Sequence, residues 1–324
     1  MKAACGWYAI TPQAHYQMLR RRQQRAHEEA LILTHVRALR QELPRLGGRK
    51  LLMMLAAFLE EAGITMGRDR FFDLLRRHDL LIRLKRKPTR TTFPGGVRSE
   101  NLLSTATITL PNQAVVVDIT YIATEEGFLY LALVTDLYSR KIIGWDLSNS
   151  LSLEGALHAM QRAIQHIRAT GGQTVGMIHH SDHGSQYTSR DYLALLRQAG
   201  IRPSMGAVGN AYDNAVAERI NGILKLEFLL DQRFPDAVTA YRAVANAIRL
   251  YNSRRPHLSL GYATPSEVYA QQQKVGKAAI AEPLPKALSR SRGGASGPDL
   301  LQPLTGSSFR IDSATAALPL ALPL

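Results

Sequence analysis

The sequence predicts an α/β protein, with a mixed five-stranded sheet flanked by helices and a helical domain of helix-turn-helix type in front of it. Three observations carry this. Residues 114–122, AVVVDITYI, form a continuous β-branched run, and two further apolar runs follow it after short turns. Beyond residue 150 strand-like and helix-like segments alternate. Before residue 83 the chain instead shows short helical patterns rich in arginine. Strands joined by tight turns pair antiparallel, while strands separated by a helix need a crossover, so one sheet of mixed direction is expected.

Taken in order, the body begins near Pro111. Ala114 to Ile122 predicts a buried strand, and Glu125-Glu126-Gly127 predicts a turn. Phe128 to Thr135 and Lys141 to Leu147 predict the second and third strands, separated by Tyr138-Ser139-Arg140. Asp136 reads as a residue of that turn. Leu153 to Ala169 is an amphipathic helix stopped by Gly171-Gly172. Val175 to His179 predicts the fourth strand, Arg190 to Gln198 a helix, and Ile201 to Met205 the fifth strand. Two helices follow, over Asn214 to Leu229 and Asp236 to Tyr251. The order βββαβαβαα is that of a ribonuclease-H-like fold.

In front of the body, Ala30 to Leu43, Leu51 to Ala62 and Arg68 to His78 show helical spacing, broken at Gly47-Gly48 and Gly63. Short arginine-rich helices with tight turns are the pattern of a DNA-contacting unit. The boundaries that result are a helical domain over 1–83, a basic linker over 84–110, a catalytic core over 111–275 and a tail over 276–324. The linker, LKRKPTRTTFPGGVR from Leu84 to Arg98, is rich in Pro, Gly and cations. The tail is rich in Pro, Ser, Gly, Ala and Leu, and irregular structure is expected there.

Charge narrows the partners. The 324 residues hold 40 Lys and Arg against 26 Asp and Glu, a net charge of +14. Of these, 20 Lys and Arg and 9 Asp and Glu fall in residues 1–100, a local excess of +11. A basic arm before a less basic body suits a polyanion, and DNA is the expected partner. The single cysteine, Cys5, excludes an internal disulfide and a two-Cys zinc finger, and fits the reducing cytoplasm. No apolar run reaches the length of a membrane span, so no membrane partner is expected.

Three carboxylates stand out. Asp118 interrupts a run of valines, where an unpaired charge is costly. Asp182 follows the fourth strand, at the end where open α/β sheets bind ligands. Glu218 shares one helical face with Gly222 and Lys225, at i, i+4 and i+7, and Gly222 leaves a gap between acid and cation. Each alone has a bland reading: a hydrogen-bonded strand acid, an Asx turn, a solvated helix glutamate. In order, with 35 residues between Asp182 and Glu218 and Lys225 seven beyond, they form a pattern.

At these residues the chain resembles the DDE recombinases, which include retroviral integrases, and most closely the OrfB-type transposases of the insertion-sequence family three. The resemblance rests on DITYI at Asp118, HSDHGSQYTS at Asp182 and DNAVAERINGILKLEF around Glu218. DLYSRKIIGW from Asp136 to Trp145 and YNSRRPHLSLGYATPSEV from Tyr251 to Val268 extend it, over roughly residues 30 to 270. The family's YGYRR-like step reads LGGRK here, at Leu46 to Lys50, and the tail matches nothing in the family.

The resemblance implies that Asp118, Asp182 and Glu218 are catalytic and bind metal, Mg²⁺ or Mn²⁺, as two ions with Asp118 bridging them. It implies DNA cleavage and strand transfer at element ends, by a homo-oligomer, with an upstream helix-turn-helix protein as partner or fusion. Lys225 is expected to touch a DNA phosphate. Arg254, Arg255 and His257 are expected either to contact DNA or to brace the helix. Asn214, one turn before Glu218, and His180 are expected behind the acids. His179, His180 and His183 lack the spacing of a zinc site. Two other readings remain at this point: an inactive DNA-binding regulator of transposition, and a ribonuclease-H-like nuclease that only hydrolyses.

Overall fold

The computed structural model describes residues 11–82, 100–206 and 215–271. Asn214, Cys5, most of the expected linker and the tail from 276 lie outside the described residues.

Strands β1 (Ala114–Thr124), β2 (Gly127–Asp136) and β3 (Ile142–Ser148) form the expected antiparallel meander. Gly127, at φ +134°, closes the first turn in a conformation that other residues rarely adopt. Strands β4 (Ile178–Ser181) and β5 (Arg202–Met205) add in parallel, giving the order β3-β2-β1-β4-β5. This is the mixed sheet of a ribonuclease-H-like fold. β4 begins three residues later than the pattern suggested. A turn closed by Met177 N–H donating to Thr174 O, with Gly176 at φ +82°, occupies the apolar residues before it.

Because strand side chains alternate, each face of the sheet has its own cover. Val115, Val117, Ala132 and Val134 pack under helices α5 (Leu153–Ala169) and α6 (Arg190–Gln198). Ile122, Leu129, Leu131 and Leu133 pack under α7 (Ala215–Glu227) and α8 (Ala237–Ser253). Both faces are covered, which is why β1 and β2 read as unbroken apolar runs.

The N-terminal helices are α1 (Pro12–Glu42), α2 (Gly48–Met54), α3 (Ala56–Glu61) and α4 (Arg68–Arg77). Two expectations change here. α1 is 31 residues long and begins 18 residues before Ala30. Thr11 caps it, its hydroxyl accepting from Ala14 N–H at 3.1 Å, and Pro12 takes the first turn, where no N–H is needed. The helix expected over 51–62 is instead two, divided at Leu55. The buried residues of these helices and of the turns between them, among them Val36, Leu46, Leu55, Phe71 and Leu75, belong to the same apolar cluster as Ile220, Leu224 and Val244 on the sheet's α7 face. The N-terminal helices therefore share a core with the body.

Candidate active site

The β1–β4 ladder sets the site. Val115 pairs with His179 and Val116 with His180 in parallel register. Two positions beyond Val116, still on β1, comes Asp118, and two beyond His180, just past the end of β4, comes Asp182, whose negative charge acts on Asp118. Asp182 begins the segment after β4, and its Oδ1 accepts from Gly184 N–H at 3.0 Å. Asp118 Oδ1 accepts from Ile119 N–H at 2.9 Å, and its Oδ2 accepts from Asn221 Nδ2 at 2.6 Å.

This neighbourhood makes ionisation of Asp118 expensive. Burial pushes its pKa up to about 7, and the negative charges of Asp182 and Glu218 push the same way, against the Ile119 and Asn221 donors. Glu218 stands on the exposed first turn of α7 and is the weakest of these influences. Among the described residues no three acids or histidines already converge as a metal cage. The adjacent pair of hard oxygen donors nevertheless fits a divalent cation, since a positive charge relieves their repulsion. Asn221 Oδ1, buried and without a hydrogen-bond partner among the described residues, adds an acceptor beside them.

Lys225 lies two turns beyond Glu218 and is half-buried. Burial lowers its pKa, while Asp118 and Asp231 hold its charge. Among the described residues a Cβ built on Gly222 would meet nothing within 4 Å, so the gap between Glu218 and Lys225 is open there.

The other predicted residues fall elsewhere. His180 is buried, its Nδ1 2.9 Å from Ser204 Oγ, which itself accepts from Leu102 N–H. It thus joins β4 to β5 beneath the acids. Arg254 reaches Glu42, Nε to Oε2 at 3.0 Å. Arg255 is 2% exposed, and its Nε and Nη2 each donate at 2.8 Å to Glu227, the last residue of α7. This buried guanidinium ties the end of α7 to the segment after α8. His257 is partly buried, its Nδ1 2.9 Å from Ser259 Oγ. Burial, then the charges of Arg255, Lys50, Arg140 and Arg219, lower its pKa to about 4.

Two residues of the site escaped the sequence reading. Asn221 stands at i+3 from Glu218, on the face already identified by Gly222 and Lys225, so its spacing was available. Tyr187 is 4% exposed, and burial raises its pKa, followed by Tyr192, Asp118 and Asp182. It backs the acid pair with an apolar wall, and only tertiary structure reveals that.

The comparisons agree with this architecture. The integrase core domain family matches residues 109–211, and a second integrase core domain family matches 199–265. The chain therefore carries the integrase core, the class to which its sheet and acid pair point. It is 34% identical over 269 residues to transposase InsF for insertion sequence IS3A from Escherichia coli, covering 82% of this chain and 89% of that one. It is 38% identical over 212 residues to the uncharacterized 31 kDa protein of insertion element IS600 from Shigella sonnei, covering 64% and 76%. With the putative transposase for IS986/IS6110 of Mycobacterium tuberculosis it shares 39% identity over 170 residues, 51% of this chain and 61% of that one. The chain belongs to the IS3 family of insertion-sequence transposases. Among solved structures, the catalytic core domain of HTLV-2 integrase in complex with magnesium aligns at TM-score 0.39 and 19% identity, over 49% of this chain and 97% of that one.

Proposed function

We propose that this chain is a DDE-type DNA strand transferase that cuts and joins insertion-sequence ends, with Asp118, Asp182 and Glu218 as its catalytic acids. The observation that carries this is that the charges of Asp182 and Glu218 act on buried Asp118, with Asn221 donating to Asp118 from the helix of Glu218. The three acids would hold Mg²⁺ or Mn²⁺, as two ions. Bound there, the ions would supply Lewis-acid polarisation of the phosphodiester and would lower the pKa of a water or 3′-hydroxyl, whose deprotonated oxygen is the nucleophile.

The chain's own residues do the rest. Asn221 keeps one oxygen of Asp118 turned toward the helix of Glu218. Tyr187 and its aromatic neighbours keep water from the back of the acids. The open surface at Gly222 lets a DNA strand approach between Glu218 and Lys225. Lys225 presents its ammonium to a phosphate near the reacting bond, a positioning contact that carries no sequence information. The arginines of α1, Arg20, Arg21, Arg22 and Arg25, lie on an exposed helix and give the arm its grip on a phosphate backbone.

The partners in this reading are element-end and target DNA in the bacterial cytoplasm, and at least one further copy of the chain, since two ends must be held together. An upstream helix-turn-helix protein, separate or fused, completes end recognition. The test is Asp182→Asn, assayed on labelled element-end DNA with Mg²⁺. It should bind DNA as the wild type does and yield no joined product; wild-type joining by this variant refutes the assignment. Hydrolysed but never joined DNA from the wild type would mark a nuclease, and binding alone a regulator.

A further inference from the structure

Helix α7 carries Glu218 and Asn221 near its start and ends at Glu227. Nine residues of helix place Glu227 about 13 Å along the axis from Glu218. An acid in that final position is unfavourable for the helix itself, because the carbonyl end already bears partial negative charge. What offsets it comes from outside the helix. Arg255 makes the two-pronged pair described above, and Lys50 Nζ, from α2, lies 3.2 Å from Glu227 Oε1. Both cations are largely enclosed, with Lys50 17% and Arg255 2% exposed at the side chain.

Of the free carbonyls at this end of α7, those of Leu224 and Lys225 accept from Leu230 and Asp231 just beyond it, and those of Leu226 and Glu227 accept from the N-terminal region. Arg45, in the turn between α1 and α2, donates its backbone N–H to Glu227 O at 3.1 Å and its Nη1 to Leu226 O at 3.5 Å. Its guanidinium also pairs with Asp231 at 3.4 Å. Glu42, the last residue of α1, holds Arg254 beside this cluster. The C-terminus of α7 is thus capped by residues 42–50, which close the basic arm, and braced by 254–255. A helix held at one end by such bonds moves as a unit, so a shift at Glu227 is carried to Glu218 and Asn221.

We propose that Glu227 is a positioning residue for the strand-transfer site, through which the seating of the N-terminal helices at Arg45 and Lys50 sets the place of the helix bearing Glu218. This rests on the strand-transferase reading above. It makes the fit of the DNA-binding arm a condition for a complete acid set, and it assigns to Lys50 and Arg255 a structural link rather than a phosphate contact.

Removing Glu227 strands the buried Arg255 guanidinium and can unfold the chain, so the test is made at Lys50. Lys50→Met keeps the aliphatic stem and the Glu227–Arg255 pair and deletes only the link to α2. In the full-length chain without DNA, amide hydrogen exchange over residues 215–227 should accelerate, while exchange over 114–124 stays as in the wild type. Element-end DNA should bind with unchanged affinity, and joining from the preformed complex should slow about tenfold, as small misplacements of reacting groups do. Lys50→Arg should restore both measurements.

Unchanged exchange over 215–227, or wild-type joining by Lys50→Met, overturns the proposal. So does a loss of DNA affinity that matches the loss of joining, which would make Lys50 an ordinary DNA contact. Faster exchange throughout the chain also overturns it, as a general loss of stability. If the wild type joins no ends, the transferase reading falls, while the exchange comparison, which needs no activity, still decides whether Lys50 holds this helix.

Discussion

Asn221 Nδ2 donates to Asp118 Oδ2 at 2.6 Å, tying the strand of one acid to the helix of another. The bond spans 103 residues of sequence and closes the side of the site that the β1–β4 ladder leaves open. Asn221→Ala removes the donor and leaves a carboxylate oxygen in a buried place without its partner. The expected result is a ten- to hundredfold loss in joining, about the cost of removing a group that orients a metal-binding side chain. The Mg²⁺ concentration for half-maximal joining should rise with it. Wild-type joining at wild-type Mg²⁺ demand would show that Asp118 needs no such anchor.

Gly222 separates stability from activity. Among the described residues a Cβ there meets only open space, and glycine within a helix costs about 1 kcal/mol relative to alanine. Gly222→Ala should therefore raise the unfolding free energy by up to about 1 kcal/mol. The added methyl group stands between Glu218 and Lys225, where the DNA strand is proposed to pass, so joining should fall. A variant both more stable and fully active would remove the reason for that gap.

What was legible in the sequence, and what was not, follows from the range of the interactions. Asp118 was conspicuous because its neighbours Val115, Val116 and Val117 are apolar, which is a local signal. The first and last residues of α5 and α6 were also readable, since glycines and the Ser189 cap lie beside them; Ser189 Oγ accepts from Tyr192 N–H at 3.3 Å. The first 18 residues of α1 were missed because they show no apolar stripe, although the Thr11-Pro12 start signal was there. Whether Arg255 contacts DNA or braces the helix was not legible in the sequence, because its burial depends on Glu227, 28 residues away, and on the packing around both. Tyr187 could not be placed at all without knowing that its segment folds back behind the acids.

Gly144 tests the packing beneath the site. It lies in β3, and an added Cβ would run into the Ala159 carbonyl and lie 2.7 Å from Ala163 N, both on α5. Neither backbone group can rotate away, so Gly144→Ala must push α5 off the sheet. Overpacking of this kind costs about 1–3 kcal/mol or more. The urea midpoint should fall accordingly, and joining should fall only as far as the folded fraction does. A midpoint within error of the wild type would mean that α5 is less closely seated than it is here.

Buried His179 and buried Asp118 should act with opposite sign on the pH dependence of stability. His179 is fully enclosed, with Nε2 2.9 Å from Tyr192 OH, and burial followed by the charge of His180 lowers its pKa from 6.5 to about 3. His257 is lowered to about 4, first by burial and then by the cations around it. Both are neutral in the native chain at pH values where the unfolded chain already binds their protons. Through these histidines the unfolded state holds more protons below about pH 6.5, so their contribution to stability falls as pH falls, while Asp118, raised to about 7, is protonated first in the native chain and contributes with the opposite sign. His179 alone contributes a slope of up to about 1.4 kcal/mol per pH unit. His257 adds less, since it is partly open to solvent and screened there. Urea unfolding at pH 7, 6 and 5 reads the slope directly. His179→Gln, which keeps a polar partner for Tyr192 but takes up no proton, should change the slope by about one proton relative to the wild type, toward greater stability in acid. The same slope in variant and wild type would mean that His179 is not held neutral by burial.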